Sequence, residues 1–301
     1  DRLLAGTVAG EPRRLLGQLV DYHQREARPQ WWAWFRWPQL DEDELVRDRT
    51  AIGGLRLEGE PEEEGKSLAY RLSFPPQEHK LTGRAFDPAT RKGFRIRVDD
   101  DHGIVALLRD ADRADEPLPR GLTPGGPIGD EVKREALTRF ARAYEEGRGH
   151  TYPALTALLE RRPPDVRLEV DPVDAALSLR ESYLFVQGPP GSGKTWQGAR
   201  MAIELMRQGK RVGVTSLSHK AIHNMLRAVQ HEAERQGFAF RGARRAREAD
   251  EAETAPSIPM IESSKDLDVC ADPSYQLVAG TAWAFTRTTV DIHAAERPLD
   301  V

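Results

Sequence analysis

The sequence predicts an α/β fold, in which a glycine-loop domain is preceded by a small β-barrel on helical struts, and three observations predict it. Residues Gly188 to Thr195 read G-P-P-G-S-G-K-T, between the apolar run Tyr183 to Val186 and a segment of helical spacing. Five short β-runs crowd residues 55–108, and the stretches on either side carry apolar residues three and four apart, the period of a buried helix face. The chain has 301 residues, 39% hydrophobic and 31% charged, enough apolar material for two modest cores under a solvated surface.

From Arg13 to Phe35, Leu15, Leu16, Leu19 and Val20 followed by Tyr22 predict a helix that bends at Pro29. The cluster Trp31, Trp32, Trp34, Phe35 and Trp37 has two readings: rings that stack single-stranded bases, or rings that anchor a helix against a neighbouring domain. Asp41 to Asp48 read as a capped helix start. The period then changes near Gly53 and Gly54. The β-runs are Leu55 with Leu57, Leu68 to Phe74, Leu81 to Phe86, Phe94 to Val98 and Ile104 to Leu108, which suggest a small closed barrel. Arg95 and Arg97 alternate with Phe94, Ile96 and Val98, so that strand shows a basic face, open either to phosphates or to solvent. Asp99, Asp100 and Asp101 read as a solvated hairpin turn. Asp110 to Gly129 read as a linker, and Glu131 to Glu145 and Ala154 to Leu159 as strut helices.

The order β-run, glycine loop, helix suits a phosphate. Backbone N–H groups of Gly191 to Thr195 wrap the phosphates, and the helix N-terminus adds its partial positive charge. In this reading Gly188, Pro189, Pro190, Gly191, Ser192, Gly193, Lys194 and Thr195 bind ATP; Lys194 reaches the β- and γ-phosphates and the Thr195 hydroxyl coordinates Mg²⁺. Gly209 fits a helix C-cap, Val212 and Val214 lie in a second strand parallel to the first, and Ser218 caps a helix that buries Ile222, Met225, Leu226 and Val229.

Three stretches, Y-L-F-V-Q-G-P-P-G-S-G-K-T, V-G-V-T-S-L-S-H-K-A-I-H-N-M-L and L-V-A-G-T-A-W-A-F, resemble successive motifs of superfamily 1 helicases of the nonsense-decay type. In particular the chain resembles bacterial proteins that fuse a RecB-like nuclease to such a motor, whose linker has a segment similar to Tyr22-His23 to Trp32. The resemblance implies a RecA-like ATPase domain over 171–301, stopping before the acidic Walker B pair expected after Pro298 to Val301. It also implies a helical linker over 1–50, a barrel over 51–115, struts over 116–170, and a nuclease domain upstream in the parent chain. Single-stranded DNA or RNA is the implied partner, held by Ser216, Ser218, His219, Asn224, Thr281 and Trp283, although helix capping or a local turn bond is an alternative role for each polar one. Asp171 to Ser182 contain no glutamine, so no adenine-reading side chain is assigned there. Lacking Walker B and a second RecA-like domain, the chain is expected to bind nucleotide without efficient turnover. A P-loop kinase acting on a small molecule and a non-enzymatic nucleotide-gated scaffold are the rival functions.

The remaining features point elsewhere. Net charge is only −4, so attraction to a polyanion must be local. No run approaches the about 20 apolar residues of a membrane span, the first residues lack a leader's pattern, and a cytoplasmic protein is expected. The lack of an initiator Met and the mid-pattern ends read as a fragment. One cysteine, Cys270, excludes an intramolecular disulfide and argues against cysteine-bound zinc. His219 and His223 lie one turn apart without the glutamate of a zinc protease, and the E-x-K of Glu131 to Lys133 sits in a helix pattern. Arg241, Arg244, Arg245 and Arg247, followed by Glu248 to Glu253, read as a mobile charged loop.

Overall fold

The computed structural model describes residues 11–166, 170–246, 257–290 and 299, and it is a mixed α/β structure. The chain divides into two compact units, residues 24–129 and residues 1–23 with 130–301. Among the described residues no helix is long and apolar enough to cross a membrane.

The N-terminal helical pattern forms two helices, α1 (Glu11–Val20) and α2 (Tyr22–Arg36). The break falls at Asp21, and Pro29, expected to bend the helix, sits inside α2. A proline has no N–H, so the helix ladder loses one bond there. No residue of α2 is buried, and the helix continues through the proline.

In the 24–129 unit, α3 (Glu42–Arg47) starts with a capping box. The Asp41 carboxylate accepts from the Glu44 amide at 2.8 Å, and the Glu44 carboxylate accepts from the Asp41 amide at 2.9 Å. The strands are β1 (Ile52–Gly53), β2 (Arg56–Leu57), β3 (Glu62–Glu64), β4 (Ser67–Ser73), β5 (Arg84–Phe86), β6 (Gly93–Asp99), β7 (Ile104–Asp110) and β8 (Gly121–Leu122). An antiparallel sheet runs β2-β4-β7-β6-β5, with β3 also paired to β4. Alternation decides its faces: Phe94 and Ile96 enter the core with Leu72, Val105 and Leu107, while Arg95 and Arg97 face out. Each such buried side chain contributes about 1.5–3 kcal/mol.

Beyond β5, Phe86 and Thr123 exchange two backbone hydrogen bonds of 2.8 Å. Thr123 follows β8, β8 pairs with β1, and β1 leads through Gly54 and Leu55 into β2. The segment 110–129, expected to be a plain linker, therefore supplies a strand. Asp99, Asp100 and Asp101 lie at the β6–β7 turn, where the Asp99 carboxylate accepts from the His102 amide at 3.3 Å.

In the other unit, α4 (Glu131–Glu145) and α5 (Pro153–Leu159) pack with α1 through Leu16, Phe140 and Leu159. The chain continues through α6 (Pro172–Ser178), α7 (Lys194–Arg207), β9 (Val212–Thr215), α8 (His219–Gln236), β10 (Gly242–Arg245), β11 (Ile261–Ser264), β12 (Leu277–Gly280) and α9 (Ala282–Phe285). The four strands form a parallel sheet in the order β11-β10-β12-β9. Both faces are covered, as a parallel sheet requires. Leu277 and Ala279 of β12 pack with Ile203 of α7 and Leu226 of α8, whereas Val278 packs with Ala243, Val269 and Cys270.

Two expectations fail here. Tyr183 to Val186 form no strand, and Phe185 is 79% exposed. A β-run becomes a strand only where an edge pairs its N–H and C=O groups; this segment is instead tethered by side chains, with the Tyr183 hydroxyl donating to the Arg162 carbonyl at 2.7 Å and the Ser182 hydroxyl accepting from the Asp165 amide at 3.1 Å. Conversely, Arg244 and Arg245, expected in a mobile loop, belong to β10, an inner strand of the sheet. Arg247 to Glu253 lie outside the described residues.

Candidate nucleotide-binding loop and strand ends

The glycine loop owes its shape to two residues. Gly191 and Gly193 adopt φ of 80° and 82°, in the left-handed region where a Cβ is strained. A Cβ on Gly188 would strike the Ser192 side chain. The chain thus turns tightly and enters α7 at Lys194, with Gly193 as the helix N-cap. The helix continues as an amphipathic rod whose Ala199, Ala202, Ile203 and Met206 are buried.

The first amides of a helix have no partner within it. Among the described residues, the N–H groups of Lys194 and Thr195 have none, while the Gln197 amide donates to the Gly193 carbonyl at 2.9 Å. Lys194 folds back over the loop. Its Nζ donates to the carbonyls of Gly188 at 2.5 Å and Pro189 at 2.8 Å, and approaches the Ser192 hydroxyl at 3.4 Å. Residues 189–195 are exposed, and Gly188 is half-buried. One ammonium, free helix amides and the Thr195 hydroxyl thus share one open turn. That donor set fits a polyphosphate bearing a divalent cation.

The sheet brings two other predicted segments together. Thr215 of β9 and Gly280 of β12 are register partners, so Ser216 and Thr281 follow at the same carboxyl edge. Ligands of open parallel sheets bind beyond such edges. The six residues are not alike in what occupies them. Ser218 caps α8 by accepting from the Ala221 amide at 3.1 Å. The Trp283 ring carries the Lys133 ammonium 3.8 Å from its centroid. His219 opens α8, and Asn224 is exposed farther along it. Ser216 and Thr281 are half-buried.

His223 faces β10, with Nδ1 3.4 Å from Arg244 Nη1. Burial, then the charges of Arg244 and Arg227, hold its pKa below the usual histidine value, so it serves poorly as a cation for phosphate. Among the described residues no group of three or more His, Cys, Asp or Glu is placed to hold a metal ion. Burial pushes the Cys270 thiol up to about 11, which keeps it protonated and inert.

Sequence reasoning missed two features. Arg211 is 1% exposed, and its guanidinium donates to the carbonyls of Tyr275 at 3.1 Å and of Cys270 and Asp272 at 2.7 Å, fixing the loop before β12 against β9. Asp171 caps α6 by accepting from the Val173 amide at 2.8 Å and lies 3.7 Å from Arg200 of α7. An acid immediately before a proline that opens a helical run is a weak signal for the second; nothing local announces the first. Of Pro298 to Val301, only Leu299 lies within the described residues. A scan against protein-family models and a search of curated proteins each return no match for this chain.

Proposed function

We propose that the chain binds ATP with Mg²⁺ at Gly188 to Thr195, and that it carries the nucleotide-binding part of a superfamily 1 helicase motor acting on single-stranded DNA or RNA. The observation that carries this reading is Lys194, whose ammonium is held over the glycine loop by main-chain carbonyls. Neutral carbonyls give up a lysine more readily than a carboxylate does, so the side chain can turn to phosphate oxygens, with which it makes stronger, charge-assisted bonds. Mg²⁺, held by Thr195, would neutralise charge on the β- and γ-phosphates. The loop and the amides of Lys194 and Thr195 would fix the phosphates, and Ser216 and Thr281 would hold the backbone of one strand without reading its bases. A parallel sheet covered on both faces supports a RecA-like reading of this region, and the ring of strand pairings through Phe86 and Thr123 supports a small barrel in the other unit.

The test is equilibrium binding of a fluorescent ATP analogue with Mg²⁺. The wild-type chain is expected to bind it, and Lys194→Ala to weaken binding by at least about 30-fold, the lower end of what removing one partner of a charged pair costs. Equal affinity in the two proteins, or none in the wild type, sinks the proposal. In the parent protein, single-strand-stimulated ATP turnover supports the motor, while phosphate transfer to a metabolite supports a kinase.

A further inference from the structure

We infer that the exposed face of α2 is a stacking platform for single-stranded nucleic acid, with Trp32 as its central ring. The inference rests on the single-strand reading above and adds a contact site outside the motifs that suggested it. The tryptophan-rich segment splits into two groups. Trp34 and Trp37 turn inward: Trp34 meets the Phe86 ring edge-on at 6.2 Å and carries the Arg91 guanidinium at 3.8 Å, and Trp37 is 4% exposed. Trp32 and Phe35 remain 69% and 59% exposed, and Trp31 42%. Trp31 and Phe35 lie nearly parallel, 20° apart at 5.6 Å, which presents flat aromatic surface rather than a ragged patch.

Charge identifies the occupant. Residues three, four and seven apart share a helix face, so Arg25 and Arg28 fall in line with Trp32 and Phe35. Glu26, the one acid of α2, points about 120° away from Trp32 at 3.6 residues per turn. The helix carries three arginines against that single glutamate, in a chain whose net charge is −4. One of them, Arg36, is bound to Asp48 at 2.6 Å. The face has no Leu, Ile, Val or Met, the bulk a lipid-binding helix buries. Flat rings interleaved with guanidinium groups match a polyanion with exposed bases.

The experiment titrates the full chain into labelled oligothymidylate and reads anisotropy and tryptophan emission. Trp32→Ala is expected to weaken binding about 5- to 160-fold, the range for losing one base–aromatic stack, and to remove much of the emission quenching; Trp32→Phe is expected to restore most of the affinity. Nucleotide binding at the glycine loop should be unchanged in both, and an unchanged urea transition in the emission of the remaining tryptophans of residues 24–129 shows that the unit carrying the variants is folded. Unchanged oligothymidylate affinity in Trp32→Ala overturns the platform while leaving the single-strand reading intact. No oligothymidylate binding by the wild type removes both. Self-association of the wild type in sedimentation, lost in Trp32→Ala with oligothymidylate affinity unaltered, assigns the face to a protein contact instead and equally overturns the platform.

Discussion

The two units of this chain solve the same problem, burying both strands and loops, by opposite pairing rules. In residues 24–129 the long strands β4, β6 and β7 pair antiparallel, and β6 and β7 are joined by a short turn. In the second unit every sheet neighbour is parallel and distant in sequence, so that β9 pairs with β12 and β10 with both β11 and β12. Each unit also pins a loop with a buried arginine that gathers main-chain carbonyls, Arg109 in the first and Arg211 in the second. The difference lies in how charge is spent. In the antiparallel unit, Arg97 makes two bonds to Glu64, and Arg113 and Lys92 both bind Glu116, which together hold that carboxyl down at about 2. At the glycine loop, Lys194 bonds neutral oxygens at 2.5, 2.8 and 3.4 Å. A buried arginine among carbonyls or a cation facing a carboxylate locks structure, whereas an exposed lysine facing neutral oxygens, as Lys194 does, is left available.

The largest expected effects test whether the units are independent. Leu107 and Leu226 are each fully buried, one in each principal core. Leu107→Ala and Leu226→Ala should each cost about 2–5 kcal/mol. Four of the six tryptophans, at 31, 32, 34 and 37, lie in the antiparallel unit, so tryptophan emission during urea unfolding reports mainly on it. Leu107→Ala should lower that transition and leave nucleotide binding at the glycine loop intact, whereas Leu226→Ala should do the reverse. Equal loss of both signals in either variant would mean that the two units unfold as one.

How far each unit is legible follows from the same contrast. The β6 pattern is plain because one face is core and the other solvent, so Phe94 and Ile96 alternate with Arg95 and Arg97. β3 is not plain, since Glu62, Glu63 and Glu64 carry no apolar period and become a strand only because β4 offers an edge. In the parallel unit the pairing information is remote. Tyr183 to Val186 look more strand-like than Gly242 to Arg245, yet only the latter find partners, on both sides. The glycine loop was legible because its geometry is local: glycines at 191 and 193 and a helix from Lys194. The nearness of Ser216 and Thr281 follows from the register of β9 and β12, which the residues themselves do not spell out.

The buried arginines supply the next largest effect. Arg109 donates to the carbonyls of Glu116 at 2.5 Å and Pro117 at 3.1 Å, and its guanidinium lies 5.2 Å from the Tyr70 ring centroid. Hydrogen bonds to a charged donor contribute about 1.5–3 kcal/mol, so Arg109→Met and Arg211→Met should each cost about that much. Lysine should not rescue either, because its single ammonium cannot reproduce the planar fork. Hydrogen exchange separates the two. Arg109→Met should expose amides of residues 111–117, and Arg211→Met those of 270–276; uniform exchange throughout the chain in either variant would show that the arginine supports the global fold rather than one loop.

The smallest effect is a pH dependence to which one buried carboxylate in each unit contributes. Hydrogen bonds from Arg235 come first in holding Glu232 at about 2, opposed by burial and helped by Gln236. For Asp48 burial pushes upward, but hydrogen bonds from Thr50, Trp37 and Arg36 outweigh it and the net shift is down. A carboxylate whose folded value is depressed contributes stability that is present above its ordinary value and is lost as pH falls through the folded one. For Glu232 that window runs from 4.5 down to about 2, and Asp48 begins to lose its share below 3.8. Glu232→Gln should flatten the acid limb of urea stability in the parallel unit, read by nucleotide binding, and Asp48→Asn should flatten it in the antiparallel unit, read by tryptophan emission. Because Arg235 is itself more than half exposed, solvent screens the Glu232 pair and its limb should be shallower than the bond distances suggest. An unchanged acid limb in both variants would place the acid sensitivity of the fold elsewhere.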